Sequence, residues 1–431
     1  MVALTALAVA SASLALVAAH PHPHASETRS APLPGRWYHE EDHPVHALFR
    51  RAPTNSKRAD PSPSVGSDAW TAQYPASSAD PSKLPQAWVN ALNDAVKAGK
   101  IPDIPPSVSE NGGVPNYPAG TNENRNDPSI CAATDRECRI PQDIWDGVDG
   151  YFAVGFDDGP TTFSPPLYTF LQQNNVTATH YMIGTNILQN WKEFQIAYNQ
   201  LHDDIAVHTW THPYMTTMTN EQVLGELAWT IQIIHDSTGG KIPRFWRPPY
   251  GDTDARVSAI AREVLGMTAV LWNQDTDDWA MGSNPPGTNL DKIQSQFEGW
   301  LSGPKHPGLI VLEHELYEST VQAFMNAFPL IGQNGWKLIS QAQLNNANPY
   351  QDGKEANAAF NSLIPSSTSS ASATPTSAGS KASGTASSGS GSGSPSSGVT
   401  AQSHSSGTSP TFLFPSLVSL GLLVGGVFAL L

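Results

Sequence analysis

From about residue 145 to residue 350, short apolar runs alternate with longer stretches of helical character, and this alternation constrains the fold more than any other feature. The strand candidates are Tyr151–Phe156, Ala178–Ile183, Asp204–His208, Arg244–Trp246, Thr268–Asn273 and Gly308–Glu313. Between them Pro166–Asn174, Asn186–Gln200, Asn220–Ser237, Thr253–Val264 and Leu290–Leu301 read as helices, and a helix and a final strand–helix piece after Ser319 close the domain. Strands that alternate with helices imply a parallel sheet, and this many units imply an α/β barrel rather than a small open sheet. In such a barrel the chemistry collects on the loops that follow the strand C-termini. Five of the apolar runs end on ionisable residues: Asp157 with Asp158, His208 with His212, Arg247, Asp275 with Asp278, and His314.

The flanks of this region have a different texture. Residues 1–19 are apolar and rich in small residues and end in Val17-Ala18-Ala19, as a cleaved export signal would. Residues 20–80 are rich in Pro, Ser and His without a sustained period and read as disordered or as a pro-segment, with dibasic Arg50-Arg51 and Lys57-Arg58 as cutting sites. His20-Pro21-His22-Pro23-His24 reads as part of that solvated tail. Residues 81–144 begin with a helix over 81–100, on which Trp88, Leu92 and Val96 recur every four residues, and continue as a Pro-rich linker. Cys131 and Cys138 close a short loop, and an exported chain is expected to join them as a disulfide. Residues 351–410, rich in Ser, Gly and Thr, cannot bury enough apolar surface to fold and read as a stalk. The apolar tail 411–431 has no basic flank, so a glycolipid-anchor signal fits better than a spanning helix, with attachment near Ser396, Ser397 or Gly398. Asn175-Val176-Thr177 is a glycosylation sequon that needs a surface position. The formal charge of −15 argues against nucleic acid as a partner.

Each ionisable cluster taken singly has an ordinary reading. Asp157-Asp158-Gly159-Pro160 would serve as a solvated turn, but adjacent carboxylates at the end of an apolar strand also suit a cation. His208 and His212 are four apart, a metal-ligand spacing if the segment makes one helical turn, or else two unrelated loop histidines. Thr209 stands where a zinc protease helix requires Glu, which weakens that rival class. Two His and one Asp make a common open catalytic metal shell, and the second Asp can act as base. Arg247 either keeps that base ionised and oriented or makes a surface ion pair. His314 is a candidate general acid if Asp278 raises its pKa, and otherwise a structural imidazole.

Together, Phe156-Asp157-Asp158-Gly159-Pro160, His208-Thr209-Trp210-Thr211-His212, Arg247-Pro248-Pro249-Tyr250, Asp275-Thr276-Asp277-Asp278-Trp279 and Leu312-Glu313-His314 resemble, in order, the five motifs of the polysaccharide deacetylase family (carbohydrate esterase family 4, the NodB-homology domain), and within it the fungal chitin deacetylases. The likeness covers neither residues 20–80 nor the stalk. It implies a distorted (β/α) barrel of fewer than eight strands over residues 145–350. It makes Asp157 the base and Asp158, His208 and His212 the ligands of a divalent metal, zinc or cobalt; spacing alone would allow either order within the Asp pair. It gives Arg247 the task of positioning the base, His314 the role of acid, and Asp278 that of tuning it. It assigns the Tyr250 backbone N–H to the oxyanion, and Trp279 and Leu312 to the acetyl methyl. Gly155 departs from the family, where many members have Thr, at a position that is not a ligand.

The implied reaction is hydrolysis of N-acetyl groups in chitin, giving chitosan and acetate, by a monomer held at the outer face of the plasma membrane and the cell wall. Two rivals are a deacetylase of another glycan such as acetylxylan, and a non-catalytic carbohydrate-binding wall protein. The latter would be expected to lack a base, an acid or a ligand, and none is missing from the sequence.

Overall fold

The run that begins at Tyr151 forms the longest strand, β1 (Tyr151–Gly159), and every residue after the first is buried. A parallel strand covered on both faces carries apolar side chains on both, and this one does so until Asp157. In this computed structural model, which describes residues 43–49, 63–118, 127–134 and 138–351, seven further strands join it. They are β2 (Thr179–Met182), β3 (Asp204–Val207), β4 (Phe245–Trp246), β5 (Thr268–Ala269), β6 (Gln274–Asp275), β7 (Leu309–Leu312) and β8 (Lys337–Ser340). All pairings among them are parallel, in the order β5-β4-β3-β2-β1-β7-β6.

β8 pairs with Tyr151–Val154 and β2 with Gly155–Gly159, so the two lie end to end along one edge of β1. Ser340 Oγ and Thr179 Oγ1, 2.6 Å apart, join them. The sheet is therefore fewer than eight strands across, as expected. The expected strand Thr268–Asn273 divides, because its partner changes along its length. Val270 N donates to Trp246 O of β4, Leu271 N to Ile144 O, and Asn273 N to Ile310 O of β7. One continuous segment thus joins the two edges of the sheet and closes the distorted barrel.

The helices are α1 (Val45–Phe49), α2 (Asp68–Thr71), α3 (Gln86–Lys97), α4 (Ser164–Gln173), α5 (Gly184–Gln189), α6 (Trp191–Gln195), α7 (Asn220–Ser237), α8 (Ala255–Leu265), α9 (Leu290–Ser302) and α10 (Glu318–Gln333). α7 begins at a capping box, in which the Thr219 hydroxyl accepts from Gln222 N and the Gln222 side chain accepts from Thr219 N. α8 starts at Asp254, which accepts from Val257 N, and stops at Gly266 with φ 65°. The single helix expected over Asn186–Gln200 is broken at Asn190, where α5 ends and α6 begins.

Two expectations about the flank are corrected. Parts of residues 20–80 are folded: Val45, Phe49, Trp70 and Tyr74 are buried in the common core. Phe49 and Trp88 rings lie 5.4 Å apart, Trp88 meets Trp229 of α7 edge-on at 5.1 Å, and Trp210 Nε1 donates to Ser77 O. The stretch after α3 is not a free linker either, since Ile101, Ile104, Ile130, Ile140 and Ile144 are buried. Scattered apolar anchors pack on a preformed surface without any period of their own, so periodicity does not reveal them. On α3 Ala95, not Val96, completes the buried face with Trp88 and Leu92. Seven residues bring a helix back to within about 20° of its starting direction, whereas eight overshoot by about 80°.

Cys131 and Cys138 form a disulfide with 5.1 Å between their Cα atoms. Asn175 is exposed. Among the described residues no helix is long and apolar enough to cross a membrane. The export signal, the dibasic sites, the stalk after residue 351, the candidate attachment residues Ser396, Ser397 and Gly398, and the apolar tail lie outside the described residues.

Candidate active site

All five ionisable clusters follow strand C-termini, so the parallel sheet gathers them on one rim. Asp157 and Asp158 close β1. Adjacent strand residues normally point to opposite faces, yet both carboxylates reach the same imidazole: His208 Nε2 is 3.8 Å from Asp157 Oδ2 and 3.3 Å from Asp158 Oδ1. The reason is a left-handed backbone at Asp158, φ 70°, which breaks the alternation. Asn186 Nδ2 donates to Asp158 O at 2.8 Å, and Asn190 Nδ2 to Pro160 O at 3.0 Å, so α5 and its end hold this strained turn.

His208 follows β3, but the segment to His212 is an irregular loop rather than the helical turn considered from the spacing. Thr209 and His212 are left-handed, with φ 66° and 60°. Glu226 of α7 braces the loop by accepting from Trp210 N at 2.9 Å, Thr211 N at 2.7 Å and Thr211 Oγ1 at 2.8 Å. His212 Nε2 comes within 3.2 Å of Asp158 Oδ1, and one ligand atom each from Asp158, His208 and His212 lie within 4.8 Å of one another. His208 Nδ1 is 2.7 Å from Arg247 O, and a carbonyl can only accept, so Nδ1 carries the proton and Nε2 offers a lone pair. Asp158 Oδ1 is buried with no hydrogen-bond partner. Burial opposes its charge, but His212 and His208 hold its pKa well below the usual range. A buried carboxylate oxygen without a hydrogen-bond partner, facing two imidazole ring nitrogens, suits a divalent cation.

Arg247 is fully buried, which removes the surface ion pair as an alternative. Its Nη1 donates to Asp157 Oδ1 at 2.7 Å, Nε to Val270 O at 2.8 Å, and Nη2 to Gln341 Oε1 at 2.5 Å. The guanidinium also lies 4.1 Å from the Tyr181 ring centre. Asp157 therefore keeps one oxygen on a fixed cation while the other faces the metal cradle. Across the rim, His314 Nδ1 contacts Asp278 Oδ1 at 2.6 Å, and His314 N donates to Asp278 Oδ2 at 2.9 Å. Burial would lower the His314 pKa, but Asp278, with Asp158 and Asp157 behind it, pushes it up to about 10. Asp278 thus occupies Nδ1 of His314 and favours its protonated form. Asp275 instead braces the turn before Asp278, accepting from Asp277 N at 2.8 Å.

Residues 147–270 match the family model for polysaccharide deacetylase. Chitin deacetylase 3 of Cryptococcus neoformans var. neoformans serotype D is 38% identical over 318 residues, covering 73% of this chain and 73% of that protein. Chitin deacetylase of Amylomyces rouxii is 35% identical over 225 residues, 51% of this chain and 52% of that protein. Among solved structures, the chitin deacetylase of the fungal pathogen Colletotrichum lindemuthianum is similar with TM-score 0.43 and 23% identity, over 49% of this chain and 96% of that one. The chain belongs to the polysaccharide deacetylase family. It is a metal-dependent hydrolase.

The family's remaining positions also come to the rim. Leu312 is buried, while Trp279 and Tyr250 are 40% and 52% exposed. Tyr250 is left-handed, φ 59°, and its ring packs at 4.6 Å on His212 and at 4.3 Å, stacked, on Tyr214. The departure at Gly155 has a physical counterpart. A Cβ there would lie 2.6 Å from Gln341 Cδ, so Gln341 fills that space and reaches Arg247 and, through Nε2, Ala153 O at 3.0 Å. Sequence reasoning missed Asn186, Glu226, Tyr214 and Gln341. Only the glycine in place of Thr hinted at one of them, by requiring something to occupy the vacated volume.

Proposed function

We propose that this chain removes N-acetyl groups from N-acetylglucosamine units of chitin, giving chitosan and acetate. The observation that carries this reading is the convergence, on one rim, of an open Asp158–His208–His212 cradle, an arginine-held carboxylate and a carboxylate-held imidazolium. The names of the fungal relatives supply the substrate. A divalent metal in the cradle, zinc or cobalt, would polarise the acetyl carbonyl and lower the pKa of a water.

Asp157 acts as the base, and Arg247 holds one of its oxygens and aims the other. His314 acts as the acid: Asp278 occupies Nδ1, so Nε2 delivers the proton to the departing amine. The backbone N–H of Tyr250 supports the oxyanion, an interaction whose loss typically costs about 10²–10³ in turnover. Trp279 and Leu312 bound the space for the acetyl methyl. A non-catalytic binding role is disfavoured because base, acid and all three ligand residues are present together.

The composition of residues 1–19 and 351–431 favours export and a glycolipid anchor near Ser396, Ser397 or Gly398, which would hold the enzyme, taken as a monomer, at the outer leaflet and wall. Release from membranes by a glycolipid-specific phospholipase tests the anchor. Acetate release from chitin oligomers and from acetylxylan, before and after chelation and with zinc or cobalt restored, tests the activity. Faster release from acetylxylan would overturn the substrate, and activity surviving thorough chelation would overturn the metal.

A further inference from the structure

The catalytic rim carries two exposed aromatic rings that no family motif includes. Phe163 and Tyr317 are 41% and 36% exposed, and their ring centres lie 6.4 Å apart in an edge-on pair. They follow the C-termini of the neighbouring strands β1 and β7, so they stand on the same end of the barrel as Asp158 and His314. Their loops are tied together: Thr161 Oγ1 donates to Glu315 O at 2.8 Å and accepts from Phe163 N at 3.0 Å. A Cβ at Gly282 would sit 2.6 Å from a Tyr317 ring carbon, so the Tyr317 ring lies directly on the short helical turn Asp278–Gly282 that presents Trp279. Phe163 and Tyr317 therefore form one exposed aromatic pair that packs against the turn carrying Trp279.

Phe163 makes no side-chain cap to α4, so helix capping does not explain its ring; Tyr317 stands at the N-terminus of α10, where its backbone N–H donates to Thr320 Oγ1. Single exposed aromatics are ordinary, but a contiguous group adjoining a site marks a binding surface. The faces of a pyranose ring expose C–H groups that suit the electron-rich face of an aromatic ring, while its hydroxyls stay in water. A neutral N-acetylated polymer also meets no charge penalty from a chain of formal charge −15.

Resting on the proposed chitin activity, we propose that Phe163 and Tyr317 form a distal sugar subsite that stacks on a pyranose ring of the same polymer whose N-acetyl group occupies the catalytic rim. The subsite makes the enzyme favour longer chains.

The test compares kcat/KM of the metal-loaded full chain on a disaccharide and a hexasaccharide of N-acetylglucosamine. In Phe163→Ala/Tyr317→Ala the hexasaccharide-to-disaccharide ratio should fall about five- to tenfold, mainly through KM, the size expected for losing an aromatic contact. Gly282→Ala, which displaces the Tyr317 ring without removing it, should lower the ratio in the same direction. Thermal melting confirms that both variants fold. A ratio equal to that of the unaltered protein, or equal losses on both lengths, overturns the subsite. If the unaltered protein deacetylates acetylxylan oligomers and not chitin oligomers, the function reading fails while the same length ratio, measured on xylan oligomers, still decides the subsite. If it deacetylates neither, calorimetric binding of the hexasaccharide decides: weaker binding by the double variant upholds the subsite, and equal binding removes it.

Discussion

Two buried histidine–carboxylate groups lie near each other and use the same residue types to opposite ends. In the first, Asp158, His208 and His212 turn ligand atoms toward a common point, and Asp158 Oδ1 has no hydrogen-bond partner. In the second, His180 is clamped on both sides, by Glu315 Oε1 at 2.8 Å on Nδ1 and by Asp203 Oδ2 at 3.0 Å on Nε2. Burial would lower the His180 pKa, yet the two carboxylates push it up to about 10, which keeps it an imidazolium. The difference lies in where the second ring nitrogen goes. His208 spends Nδ1 on a backbone carbonyl and keeps a lone pair free, whereas His180 spends both nitrogens on carboxylates and has nothing left to offer. His314 is intermediate, with one nitrogen on Asp278 and one free, which suits an acid. Composition does not separate a metal cradle, a proton donor and a structural ion cluster; the hydrogen-bond partners do.

The comparison breaks most visibly at the cradle. Asp157→Asn should retain bound metal, measured by elemental analysis, yet lose about 10²–10⁴ in kcat as expected for a lost general base. His212→Ala should lose metal and activity together. A near-parental rate in Asp157→Asn would remove the base assignment. Chelation should abolish activity, and titrating zinc or cobalt back should restore it.

The closed group answers differently. His180→Phe leaves Asp203 and Glu315 as buried carboxylates without their cation, and breaking such a cluster typically costs about 3–5 kcal/mol. Denaturant melts should show that loss, while the protein that remains folded still binds metal. If His180→Phe instead stripped the metal without lowering stability, the division between open and closed groups would fail. Glu315 also donates its backbone N–H to Asp157 O, so a smaller effect on turnover should accompany the stability loss.

Much of this was legible because chemistry and periodicity coincide. α7 matches the expected Asn220–Ser237, since its capping box fixes the start and its apolar period persists throughout. The residues of the rim were legible as ionisable groups at the ends of apolar runs. What holds them was not. Asn186, Glu226 and Gln341 act across the fold on backbone or side chains far away in sequence, and nothing local marks them. The left-handed residues Asp158, Thr209 and His212 stand where local preference would call for glycine, so the turn that unites two carboxylates leaves no local signal. The buried anchors of residues 43–49 and 63–80 escape for a related reason, because they pack on one another and on rings distant in sequence rather than along a period of their own.

The smallest expected effect concerns the intermediate group. Asp278 raises the pKa of His314, so the imidazolium persists until pH rises through about 10, and an acid that must be protonated loses function only above its pKa. Asp278→Asn removes the raising charge and should move the alkaline limb of the kcat/KM profile to lower pH, by about one to three units for a lost neighbouring charge. A bound divalent cation offsets the negative field of Asp157 and Asp158, which lowers the limb in parent and variant alike. The informative quantity is therefore the difference between the two, both metal-loaded. A shift toward lower pH with metal content intact places the acid on His314. An alkaline limb that stays put would mean that the Asp278 contact orients the ring without tuning it, and would remove the tuned acid from the comparison.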